Sequence, residues 1–144
     1  MSHFQTRKIV APTETECHQL LNLYEAAQWW TPVRPQDLSV LTKMVQNSFQ
    51  VWVIESPETG IVGMARVLGD GISDVYIQDV TILPEFRHQG FAAQLLKNIL
   101  ASLSELNIDF IGLIAERNTE NFYAAHGFEL MENARPMRFK RTTP

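Results

Sequence analysis

The residue types most capable of chemistry in this chain are concentrated where Arg87, His88, Gln89, Gly90, Phe91 and Ala92 follow one another. Arg87 carries a fixed, planar cation. Gly90 has no side chain, so a ligand can come close to its backbone. Beyond it, apolar residues recur at Phe91, Leu95, Ile99 and Leu103, with Leu96 and Leu100 in the same stripe, which predicts an amphipathic helix. The N–H groups that open a helix have no intrahelical partner, and together with the helix dipole they suit a phosphate or pyrophosphate. Ahead of the turn, Val75, Tyr76, Ile77, Val80, Thr81 and Ile82 predict a strand, which Pro84 should end near Leu83. Taken alone, these residues fit either an anion-binding turn or an ordinary strand-to-helix turn with a basic tip. They form neither a Walker loop, since no Gly-Lys-Ser/Thr follows, nor a dinucleotide fingerprint of three spaced glycines.

Other reactive types are less well placed. Cys17 and His18 are adjacent, and neighbours on a helix do not face each other, so they make a poor catalytic pair. His3, His18, His88 and His126 are scattered without metal-ligand spacing, so no metal is expected. Trp29 and Trp30 precede a proline-rich turn. They fit two roles, closing the core or lining a pocket, and a division of one ring to each is equally open.

The elements that must position these groups can be read in chain order. Residues 4–10 predict a first strand. Thr13 and Glu16 have capping-box spacing for a helix reaching about Trp29, with Leu20, Leu21, Leu23 and Tyr24 inward. Pro35 suits the first position of a second helix carrying Leu38, Leu41, Met44 and Val45. Residues 49–55 and 61–68 predict a hairpin across the turn at 56–60, and Gly69-Asp70-Gly71 turns the chain into the strand already described. Three antiparallel strands in succession do not fit a doubly wound fold. After the central helix, residues 109–115 predict a strand parallel to the one before it. Asn118 or Thr119 can cap a short helix running to His126, with Gly127 at its end. Residues 128–132 and 137–140 predict two last strands.

Composition sets the bounds. A chain of 144 residues, 45% of them apolar, fits one domain spanning 1–144 with a real core. The lone cysteine excludes an internal disulfide framework and fits a reducing, cytoplasmic location. No apolar run approaches the roughly eighteen residues of a membrane span, and the first residues lack the apolar core of a signal peptide. A net charge of -4 without a Lys/Arg cluster argues against nucleic acid or an anionic membrane as partner.

Residues 79–92, DVTILPEFRHQGFA, resemble motif A of the GNAT superfamily of acyl-CoA-dependent N-acetyltransferases, whose Arg/Gln-x-x-Gly-x-Gly/Ala core is met by Arg87, Gly90 and Ala92. Residues 121–128, NFYAAHGF, resemble the Phe-Tyr-x-x-x-Gly-Phe of the same family. The likeness extends over about residues 51–139, while the first fifty match only in layout. It implies an α/β, GNAT-like fold: a mixed, mostly antiparallel sheet of six to seven strands flanked by about four helices. It further implies acetyl transfer from acetyl-CoA, as acyl-donor co-substrate, to a primary amine of a small molecule or peptide, by direct attack in a ternary complex. The protein would be a monomer or homodimer. A non-catalytic acyl-CoA-binding sensor and a structural interaction domain on the same fold are the alternatives.

The resemblance also assigns roles. Members of the family splay the two parallel strands and lay the pantetheine arm between them, so backbone at Val80 and Ile82 should meet the cofactor. Arg87, His88, Gln89, Gly90, Phe91 and Ala92 should meet its pyrophosphate, and Asn121 the pantetheine. Many relatives have asparagine seven residues before the tyrosine, where this chain has Glu116. Tyr123 matches the tyrosine that protonates the departing thiolate, a suitable task for a phenol. Trp29, Trp30, Tyr76 and Gln78 are candidates for the acceptor side, the aromatics among them suiting a cationic or aromatic amine. Relatives often place a carboxylate at Tyr76 or Gln78; neither is acidic here, which leaves Asp79 as candidate base. Strict alternation sets Tyr76, Gln78, Val80 and Ile82 on one face of the strand and Ile77, Asp79, Thr81 and Leu83 on the other. A base acting through water, from Asp74 or from the substrate side, is equally open.

Overall fold

The computed structural model describes residues 3–30 and 37–142. The chain divides into two compact units, residues 1–113 and 114–144. The first holds a five-stranded sheet in chain order, β1 (Gln5–Lys8), β2 (Gln50–Ser56), β3 (Gly60–Gly69), β4 (Asp74–Ile82) and β5 (Phe110–Leu113). All neighbouring pairs are antiparallel except β4 and β5, which run parallel. The expected mixed, mostly antiparallel sheet is therefore present, with five strands among the described residues in place of the six to seven expected.

Two helices pack on one face. α1 (Glu14–Ala26) opens with the predicted capping box: Glu16 N–H donates to Thr13 Oγ1 at 3.1 Å and Thr13 N–H to Glu16 Oε1 at 2.9 Å. α2 (Leu38–Gln46) is capped by Asp37, whose carboxylate accepts from Ser39 N–H; Pro35, expected to start it, lies outside the described residues. Leu20, Tyr24, Leu41, Val45, Val53 and Met64 make the core on this side, with Cys17 buried against the Thr42 hydroxyl. On the opposite face α3 (Phe91–Glu105) buries Leu95, Leu96, Ile99 and Leu103, the stripe its period predicts. Polar contacts fix its height on the sheet: Gln50 donates to Ser102 Oγ at 3.1 Å and Asn98 to Thr6 Oγ1. Arg7 ties β1 to Glu16 of α1 and Glu55 of β2.

The second unit contains α4 (Glu120–Ala124). Thr119 precedes it but makes no side-chain cap; its hydroxyl donates instead to Glu116 O at 2.6 Å. Gly127 ends the turn as expected. It has φ +94°, with Phe128 N–H donating to Tyr123 O and Gly127 N–H to Ala124 O, the bond pair of a Schellman closure. The strands expected at 128–132 and 137–140 are absent. Strand propensity is local, whereas a strand exists only through a ladder partner, and these segments have none among the described residues. Leu130, Met131, Met137 and Phe139 stand exposed there.

Candidate functional site

The strand before the turn is longer than its partner. The β4–β5 ladder begins at Asp74 and Phe110 and ends at Ile77 and Leu113, while β4 continues to Ile82. Among the described residues, β4 from Gln78 onward is paired with β3 alone. Val80 and Ile82, the backbone positions expected to meet the cofactor, lie in this stretch.

A β-bulge falls at the same point. Gln78 stands opposite Arg66 and Thr81 opposite Met64, so Asp79 and Val80 together face Ala65. Asp79 takes φ +55°, a left-handed conformation that Asp tolerates better than most residues. The extra residue defeats strict alternation, and the expected faces need correction. Ile82 is buried on the α3 side with Ile54, Val62 and Leu95, away from Tyr76 and Gln78. The Asp79 side chain turns to the α1 side, where its Oδ2 accepts from Tyr24 Oη–H at 2.7 Å and from Arg66 Nε–H at 2.8 Å. Burial and the neighbouring Asp79 carboxylate push the Tyr24 phenol far above its ordinary range, so it remains a donor. The Tyr24 ring stacks on Trp30 at 4.6 Å between centroids and meets Trp29 edge-on at 6.0 Å. Both tryptophans are half-buried against the α1–α2 core, so neither is wholly core nor wholly exposed. Tyr76 and Gln78 are exposed, the Tyr76 ring lying 5.6 Å from that of Phe110.

Sequence reasoning missed Tyr24 and Arg66 as members of this cluster. Two signals were available: an aspartate amid β-branched strand residues, and a lone arginine in the apolar run 61–68, which needs a partner if it is to be buried.

Past Ile82 comes a single 3-10 turn, Pro84–Phe86, and then the basic tip. Arg87 Nε–H donates to Ile82 O at 3.0 Å, so the guanidinium is fastened to the end of β4. His88 has φ +63° and Gly90 φ +81°, and the two left-handed residues fold the backbone into a concave turn at the start of α3. Successive amides in such turns form anion-binding nests. Gly90 makes no side-chain cap, and a Cβ built on it would meet nothing within 4 Å, so the space in front of the helix start is open. Arg87, His88, Gln89 and Gly90 are exposed, with Phe91 and Ala92 half-buried beneath. These residues could hold a phosphate group.

In the second unit Tyr123 is buried, its ring edge-on to Phe122 at 5.1 Å and to Phe128 at 5.8 Å. Burial raises its phenol above the ordinary value, which keeps it protonated and able to donate. Asn121 is exposed on the same helix. Among the described residues no group of three or more His, Cys, Asp or Glu could hold a metal ion, and no helix is long and apolar enough to cross a membrane.

Comparison with known proteins places the chain in a family. A family model described as an acetyltransferase (GNAT) domain matches residues 18–144. A chloroplastic GCN5-related N-acetyltransferase 2 of Arabidopsis thaliana is 27% identical over 81% of this chain and 51% of its own. A chloroplastic serotonin N-acetyltransferase 2 of Oryza sativa subsp. japonica is 28% identical over 71% of this chain and 53% of its own. The chain thus spans about half the length of these curated relatives. The solved structure of a GNAT family acetyltransferase from Streptococcus pneumoniae superposes with a TM-score of 0.75, at 25% identity, covering 99% of this chain and 100% of that one.

Proposed function

Because the chain belongs to the GNAT acetyltransferase family, we propose that it moves an acetyl group from acetyl-CoA to a primary amine of a small molecule or peptide, by direct attack in a ternary complex. One observation carries this reading. The unpaired edge of β4 leads directly into a left-handed, glycine-opened helix start, an arrangement suited to an amide-bearing arm that ends in a pyrophosphate.

In this reading the backbone of Val80 and Ile82 binds the arm, while Arg87, Gly90 and the amides of 88–92 take the pyrophosphate, with His88 and Gln89 at its margin. Asn121 is assigned to the pantetheine. The amine nitrogen attacks the thioester carbonyl carbon, the C–S bond breaks, and the Tyr123 hydroxyl gives its proton to the departing thiolate. Asp79 was the acidic candidate for base. Its Oδ2 already receives two hydrogen bonds, so we assign the amine proton to water and give Asp79 a positioning role. Trp29, Trp30, Tyr76 and Gln78 are assigned to the acceptor side. Serotonin, named for the rice relative, is an aromatic primary amine of the kind those rings suit. We further read 1–144 as one domain, a monomer or homodimer, in a reducing compartment such as the cytoplasm.

A second reading is a non-catalytic acyl-CoA sensor. It is favoured by the non-acidic Tyr76 and Gln78 and by the engaged Asp79. A thiol-release assay with acetyl-CoA across arylalkylamines, polyamines, amino sugars, amino acids and peptide N-termini separates the two. Turnover with any amine supports the enzyme. Tight CoA binding without turnover on the panel supports the sensor. Absence of CoA binding would leave only an interaction domain.

A further inference from the structure

Three features of β4 coincide. The ladder to β5 stops at Ile77, the bulge follows at Asp79 and Val80, and the Asp79 carboxylate ties that bulge to β3 through Arg66 and to α1 through Tyr24. A bulge bends its strand and increases its twist, so its conformation sets the direction in which 80–82 leave β5. That conformation needs a left-handed residue at position 79. Both tethers are well anchored: Tyr24 is 3% exposed and stacked on Trp30, and the Arg66 and Asp79 side chains are 17% and 19% exposed.

We propose that Tyr24 and Arg66 are positioning residues: by holding the Asp79 carboxylate they lock the β4 bulge and so set the gap between β4 and β5 that receives the acyl donor's arm. This rests on the acetyl-CoA reading above and deepens it. Asp79 acts here through its backbone geometry and its tethers and takes no proton from the acceptor.

Three variants test it. Asp79→Ala removes the carboxylate and penalises the left-handed backbone. Asp79→Gly removes the same carboxylate but adopts that backbone freely. Tyr24→Phe keeps the ring stack and deletes one tether. With CoA as the calorimetric probe, Asp79→Ala should weaken binding roughly three- to tenfold. Asp79→Gly, which adopts the backbone freely but has neither tether, should recover only part of that loss and bind no better than Tyr24→Phe; full recovery would show that the backbone alone sets the bulge and would overturn the role of Tyr24 and Arg66. Tyr24→Phe should weaken binding roughly two- to fivefold. Equal loss of kcat in Asp79→Ala and Asp79→Gly with unchanged CoA affinity would overturn the proposal and return Asp79 to the role of base. Lower melting temperatures with unchanged affinity and kcat in all three would reduce the cluster to structural support.

Wild-type protein that binds no CoA would sink the family-based reading instead. Amide NMR of the ligand-free chain then decides the bulge. Asp79→Ala, Asp79→Gly and Tyr24→Phe must each shift the amides of 78–82. Unmoved amides overturn the lock.

Discussion

Gly90→Asp places a carboxylate where the pyrophosphate is assigned, and the structure allows its two effects to be separated. A side chain at position 90 must take φ +81°, which costs an L-residue about 1–2 kcal/mol, with Asp at the low end. No clash is added, because a Cβ there meets nothing within 4 Å. A negative charge at the start of α3 returns about 0.3–1 kcal/mol through the helix dipole. The net loss of stability is therefore under about 1 kcal/mol, a fall of a few degrees in melting temperature at this size. Binding should change far more. A carboxylate about 4 Å from one phosphate charge repels it by roughly 1 kcal/mol in water and about 4 kcal/mol at the effective dielectric near a protein surface. CoA affinity should drop by about fivefold to a thousandfold. Gly90→Ala carries the backbone strain without the charge and should bind within a few-fold of wild type. Calorimetry with CoA and thermal melts on all three proteins check this. A folded Gly90→Asp protein with wild-type CoA affinity would falsify the assignment of the turn to the pyrophosphate.

Tyr123→Phe should lower kcat by roughly 10²–10⁴-fold while leaving CoA affinity unchanged and removing any alkaline limb of the kcat profile; a loss under about threefold, with acyl transfer rate-limiting, would make Tyr123 a packing residue. Trp29→Ala or Trp30→Ala should raise the amine KM more than the acetyl-CoA KM, whereas a stability loss of about 3–5 kcal/mol with unaltered kinetics would assign that ring to the core. Asp70 accepts from the amides of Ile72, Ser73 and Asp74, with Ile72 foremost, and these bonds hold its carboxyl well below the usual range. A folded-state value lowered in this way stabilises the protein above the unfolded value near pH 4 and is lost as pH falls below it. The melting-temperature difference between wild type and Asp70→Asn should therefore be full at neutral pH and shrink through the acid range; a pH-independent difference would contradict it.

Features that depend on neighbours in sequence were the legible ones. The capping box at Thr13 and Glu16, the α3 stripe and the glycine opening it are local patterns, and each appears as expected. The bulge was not legible, because alternation assumes one residue opposite one, and a single extra residue at Asp79 reverses every face beyond it. The Tyr24–Asp79–Arg66 cluster joins α1, β3 and β4, and no spacing rule connects positions so far apart. The two last strands, expected at 128–132 and 137–140, were not legible because a short segment does not carry in its own sequence the second strand of a ladder.

That the strands lie in the sheet in the same order as in the chain bears on how the protein reaches its fold. β2, β3 and β4 follow one another through short turns, so their ladders close small loops and cost little chain entropy. β1 reaches β2 only after α1 and α2 have been passed, and β5 needs the α3 crossover. Contacts between near neighbours form first when topology governs rate. The β2–β3–β4 meander should therefore be the nucleus, with β1 and β5 docking late on its two edges. Val53→Ala and Val67→Ala, both fully buried in the meander, should slow refolding, with φ-values above about 0.5. Thr6→Ala in β1 and Ile111→Ala in β5 should chiefly speed unfolding. The reverse pattern in stopped-flow refolding would show that the edges lead.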